Sequence, residues 1–164
     1  MSLAVADERG LVGPIRVHHV VVDPRSDLEG IKFNSCSAKG QTVDPCSQIG
    51  YPSCPQVCTA EQVITQQTID VVEKRLEWLE SFLSTTFRMK TSQSGVTVKQ
   101  HIRDKFPYAQ LNPNYDADVV VIVTMQPAHI KGVVGYASCL QSDHFGRCTV
   151  GLFNWTPDSE WWCG

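Results

Sequence analysis

Residues 117–125, ADVVVIVTM, decide the fold. A continuous β-branched run of this length reads as a strand. Because it does not alternate with polar residues, both of its faces are covered, as in the middle of an α/β sheet. The rest of the chain is placed by asking what pairs with this strand and what covers it.

Downstream, residues 135–154, GYASCLQSDHFGRCTVGLFN, read as a hairpin with strands at about 132–139 and 148–155. Gly146 suits a turn position with positive φ. Cys139 and Cys148 stand at the inner ends of the two strands. A disulfide staples the hairpin there if the Cβ atoms come within about 4 Å; two buried free thiols are the alternative. Asp143-His144 sets an acid beside a base, but hydrolysis also needs a nucleophile and an orienting group, and the pair reads as a solvated turn.

Upstream, IRVHHVVV at 15–22 lies between Pro14 and Asp23-Pro24 and reads as a strand. On it, His18 and His19 point to opposite sides, which disfavours a shared metal. Residues 24–58 lack periodicity and hold Cys36, Cys46, Cys54 and Cys58. A loop this long needs cross-links to hold it. Cys54 and Cys58 are separated by three residues and no matching His or Cys pair follows, so the spacing does not fit zinc. A long helix is expected over 59–84. Thr59-Ala-Glu-Gln62 reads as a capping box, and Ile69, Val72, Leu76, Leu79 and Leu83 recur at helical steps as a buried face. Glu73, Lys74, Arg75, Glu77 and Glu80 read as the solvated face. Residues 87–91 and 95–98 are expected as short strands, and 101–117, with Pro107 and Pro113, as a loop. The fold class is α+β (α/β-like): a twisted mixed sheet packed on one long helix, closed by an antiparallel edge hairpin.

The bulk numbers suit one domain of 164 residues, with 42% hydrophobic and 19% charged residues. A net charge of -3 points to no nucleic-acid partner. No apolar run is long enough to be a membrane-spanning segment. Seven cysteines favour an oxidising compartment. The start, MSLAVADERGLVGP, carries acids early and is no signal peptide. An upstream start is therefore expected, with a cytoplasmic protein of free thiols as the alternative. The unpaired seventh cysteine fits a partner beyond Gly164. No G-x-S-x-G, G-x-x-x-x-G-K-[ST], G-x-G-x-x-G or H-E-x-x-H motif is present. Asn154-Trp-Thr156 is a glycosylation sequon, weakened by Pro157.

Four stretches in this order and spacing carry a resemblance: Pro14-Ile-Arg-Val17, Cys58-Thr-Ala-Glu61, Ala117-Asp-Val-Val-Val-Ile-Val123, and Gly135-Tyr-Ala-Ser-Cys139 through Gly146-Arg147 to Val150-Gly-Leu-Phe-Asn154. From Pro14 to Pro157 the chain resembles the amino-terminal part of the catalytic unit of leishmanolysin-like zinc metallopeptidases. That resemblance implies a zincin-type upper subdomain over 14–157; residues 1–13 are expected as a disordered leader and 158–164 as an atypical tail. It implies proteolysis, with cell adhesion as an associated role. It places an antiparallel edge strand at the active-site rim, where an extended peptide or protein substrate adds as another strand. The substrate-binding residues implied are Val133, Val134, Gly135, Tyr136, Ala137 and Ser138, acting mainly through their backbones. The family's zinc lies on a following H-E-x-x-H helix, which these 164 residues do not contain. The chain as written is therefore expected to hold no metal and no catalytic residue, and to be a fragment of the enzyme. A non-catalytic peptide-binding or partner-binding module is the alternative, and a metal-free hydrolase using Cys or Asp143-His144 the remote one. An extracellular, secretory or cell-surface setting goes with the family. The expected disulfides are Cys36–Cys58, Cys46–Cys54 and Cys139–Cys148, leaving Cys163, although the four loop cysteines alone allow three pairings.

Overall fold

The computed structural model describes residues 12–25, 34–46, 52–90, 94–128 and 133–157. Cys163, His129 and the tail 158–164 lie outside them. In chain order the strands and helices are β1 (Val12–Pro14), β2 (Val17–Val21), β3 (Thr42–Val43), β4 (Gln56–Val57), α1 (Gln66–Thr86) and β5 (Arg88–Lys90). Then come β6 (Val96–Thr97), α2 (Gln100–Lys105), β7 (Asn114–Tyr115), β8 (Val119–Thr124), β9 (Gly135–Ser142) and β10 (Cys148–Trp155). The fold is mixed α+β.

The main sheet has the order β2-β8-β10-β9. β8 runs parallel to β2 on one side and to β10 on the other, and β9 lies antiparallel along β10 at the edge. Val120 and Ile122 of β8 are buried against Val98, Ile102 and Phe106 on one face. Val123 and the following Met125 are buried against Ile64, Ile69, Val72 and Leu76 on the other. The unbroken apolar run is thus covered on both sides, each fully buried side chain adding about 1.5–3 kcal/mol. At the entry of the strand, the buried Asp118 carboxylate accepts from the Arg16 backbone N–H at 3.0 Å and from its guanidinium Nε and Nη2 at 3.1 Å each. This fixes where β2 and β8 meet.

Helix α1 begins at Gln66, not Thr59. Its cap is Thr65, whose hydroxyl accepts from the Thr68 N–H at 3.1 Å while the Thr68 hydroxyl accepts from the Thr65 N–H at 3.3 Å. The reach-back half of the expected box does form: the Gln62 side-chain oxygen accepts from the Thr59 N–H at 3.0 Å. It closes a turn instead, because Cys58 is bonded to Cys36 and the Ile64 N–H donates to the Cys36 carbonyl at 2.8 Å. Ile69, Val72 and Leu76 form the buried face, but Leu79 is 41% exposed. Glu80 turns toward the sheet in its place and bonds Nδ1 of His19, so it does not belong to the solvated face.

Val12 and Gly13, assigned to the leader, lie in β1, which pairs with β5. The loop 24–58 contains an antiparallel ribbon, Thr42 opposite Val57 and Val43 opposite Gln56. Residues 101–117 are not merely a loop: they hold most of α2, a 3-10 turn at Pro107–Ala109, and β7 paired with β6.

Candidate peptide-binding edge

β9 pairs with β10 on one side only and is the free edge of the main sheet. Its described strand starts at Gly135, so Val133 and Val134 precede it rather than belong to it. Opposite pairs are Trp155 with Gly135, Asn154 with Tyr136, Phe153 with Ala137 and Leu152 with Ser138. The Thr156 N–H donates to the Val134 carbonyl at 3.1 Å. In an antiparallel ladder hydrogen-bonded pairs alternate with non-bonded ones. Val134, Tyr136 and Ser138 therefore spend their backbone groups on β10. Gly135, Ala137 and Cys139 turn theirs to the open side. Of the six residues named from the sequence, Gly135 and Ala137 are the strand members that offer N–H and C=O groups to a partner.

The open stretch is bounded. Past Cys139 the register shifts between Val150 and Gly151 and again between Cys148 and Val150. The Cys139–Cys148 disulfide, with Cα atoms 5.7 Å apart, spans this irregular end. Gln141 then ties this end of β9 to β6 and the segment after it: its amide donates to the Thr97 carbonyl at 2.9 Å and its oxygen accepts from the Lys99 N–H at 3.1 Å.

Behind the edge lies a polar cluster that the sequence did not suggest. The Tyr136 hydroxyl donates to Gln126 Oε1 at 3.0 Å. Asn154 Oδ1 accepts from the Gln126 N–H at 2.8 Å and from the Thr124 hydroxyl at 2.9 Å, and Asn154 Nδ2 donates to the Gln126 carbonyl at 3.0 Å. Asn154 and Gln126 are buried. Burial pushes the Tyr136 phenol up to about 12. Asn154 was legible only as a sequon, and with its amide buried in this cluster the folded protein presents no glycan acceptor there.

The turn beyond is structural. Asp143 accepts from the Phe145 N–H at 2.8 Å, the Arg147 N–H at 3.0 Å and Arg147 Nε at 2.7 Å. Desolvation raises its carboxyl, but these hydrogen bonds and the Arg147 charge outweigh it and hold the carboxyl below its ordinary value. The His144 ring lies against Phe145, and Gly146 has φ 78°, as a turn requires.

No family model matches the chain, and no curated protein matches it.

The described residues do not fit a zinc site. His18 lies beside Tyr115 and His19 beside Glu80, on opposite faces of β2. His101 is exposed on α2, and His144 sits in the hairpin turn. Asp44, Cys46 and Cys54 cluster, but the two sulfurs are bonded to each other and Asp44 accepts from the Cys54 N–H at 2.9 Å and the Ser53 hydroxyl at 2.6 Å. The three disulfides, Cys36–Cys58, Cys46–Cys54 and Cys139–Cys148, pair as expected and fit an oxidising, extracellular-type environment. Among the described residues no helix is long and apolar enough to cross a membrane.

Proposed function

We propose that this chain is the peptide-holding part of a leishmanolysin-like zinc metalloendopeptidase, a zincin-type subdomain in which β9 binds an extended peptide as an added strand. The observation that carries this is the open row of backbone groups on Gly135, Ala137 and Cys139 along the sheet edge. The disulfide and the Tyr136 anchor stiffen that row, so less ordering is lost on binding. The arrangement of an antiparallel edge strand beside a strand parallel to the sheet centre also suits the resemblance. No step of hydrolysis is assigned to this chain: zinc would belong to the family's H-E-x-x-H helix, and the described donors do not fit it. An extracellular or secretory setting goes with this reading.

The same open edge also supports a second reading, a non-catalytic module that captures extended peptides or a partner.

Ala137→Pro tests the edge in both readings. It removes one outward N–H and leaves the bonds to β10 in place, since proline is tolerated at the open side of an edge strand. In fluorescence polarisation with a labelled extended peptide, the variant should bind about tenfold more weakly, near 1.4 kcal/mol, with an unchanged circular dichroism spectrum. Equal affinity would place binding elsewhere. Zinc and an H-E-x-x-H peptide in the purified native product would select the peptidase; chelator-indifferent binding without cleavage would select the module.

A further inference from the structure

We infer that the open edge of β9 carries a side-chain subsite for an aromatic residue of the added peptide, built by Phe153 across Gly135. This rests on the strand-addition reading of the same edge and names the side chain it selects.

Side chains alternate across a strand. Gly135 and Ala137 therefore present the same face of β9, and their partners Trp155 and Phe153 present that face of β10. This is the face covered by α1, since Phe153 and Trp155 pack against the cluster that holds Ile69, Val72 and Leu76, and Arg75 of α1 lies over Trp155. Here β9 carries nothing larger than a methyl group at 135 and 137. The Phe153 ring uses the space: its Cε2 lies 3.9 Å from the point where a Cβ on Gly135 would stand. The ring, opposite Ala137, thus leans diagonally toward the glycine. Trp155 backs it edge to face, with centroids 6.1 Å apart and planes at 84°. The Arg75 guanidinium lies 5.4 Å from the Trp155 ring centre. Both rings are only half-buried, so part of their aromatic surface is exposed.

An added strand lies about 4.8 Å outside β9. A methyl side chain on it ends short of Phe153. An aromatic side chain reaches diagonally across the small residues and meets the ring. The other face differs. Tyr136 is anchored there by Gln126, so the bulk is supplied by β9 itself. Selection is therefore expected at one face of the peptide: an extended segment with Phe, Tyr or Trp beside Gly135 and Ala137.

The test compares two capped heptapeptides, one all-alanine and one with a central phenylalanine, on the full oxidised chain. The phenylalanine peptide should bind about tenfold tighter. Phe153→Leu should cut that ratio to about two. Ala137→Leu should cut it as well, because from an exposed position opposite Phe153 its side chain covers the shelf while the phenylalanine stays in place. A ratio near one in the parent chain, or a ratio unchanged in both variants, overturns the subsite and leaves strand addition standing. Failure of both peptides to bind overturns strand addition and the subsite together.

Discussion

Asn154 at the end of β10 bonds the backbone of Gln126 in both directions, accepting its N–H at 2.8 Å and donating to its carbonyl at 3.0 Å. One side chain thereby closes the end of β8 against β10 where the ladder has stopped. Both groups are buried, and an unpaired buried backbone group costs about 1–3 kcal/mol. Asn154→Ala should therefore lower stability by about 3 kcal/mol in urea unfolding. The same burial has a second consequence: mass analysis of protein secreted folded should find no glycan on the Asn154-Trp-Thr156 sequon.

Gly135 is required by contact rather than by φ. A Cβ there would stand 2.7 Å from the Asn154 carbonyl oxygen, a backbone atom that moves only with the strand. Gly135→Ala should destabilise by about 1–3 kcal/mol. It should also loosen Tyr136, which follows directly, and thermal unfolding with near-ultraviolet circular dichroism reads both effects.

The Cys139–Cys148 disulfide closes a short loop at a sequence separation of 9. Chain-entropy estimates for a loop of this size give about 2–3 kcal/mol. The Cys139→Ser/Cys148→Ser double variant should lose about that much. It should also bind extended peptide more weakly, because the edge it stiffens must then be ordered on binding.

Much of this was legible in the chain. The run 119–123 gave away a doubly covered strand because no polar residue interrupts it, and the two cysteines with Gly146 marked the hairpin. The start of α1 was not legible, because Thr59-x-x-Gln62 and Thr65-x-x-Thr68 both make cap-like bonds and only the Cys36 contacts decide which one opens the helix. Glu80 read as solvent-facing because its partner, His19, lies 61 residues away in sequence. Helix α2 was hidden by its six-residue length and by Pro107 just beyond it. At the site, the row of residues could be named, but which of them face outward depends on a register that only pairing with β10 sets.

Base should weaken the fold through the tyrosines. Burial raises the Tyr136 phenol to about 12, and burial together with the neighbouring Tyr136 raises Tyr108. An unfolded tyrosine titrates near about 10. Below that pH both states keep the proton and stability is full. From about 10 to about 12 the unfolded chain releases protons that the folded chain retains, so stability falls as pH rises. Urea midpoints should drop between about pH 10 and about pH 12, and Tyr136→Phe should flatten the drop. Equal slopes in the two proteins would remove Tyr136 from the cause.

The most direct measurement is amide hydrogen exchange along β9, with and without a saturating extended peptide. The amides of Gly135, Ala137 and Cys139 should exchange quickly in the free protein and become protected on binding. Those of Tyr136 and Ser138, already bonded to β10, should be protected in both states. Protection gained at another element, with Gly135, Ala137 and Cys139 still exchanging quickly, would contradict strand addition at this edge.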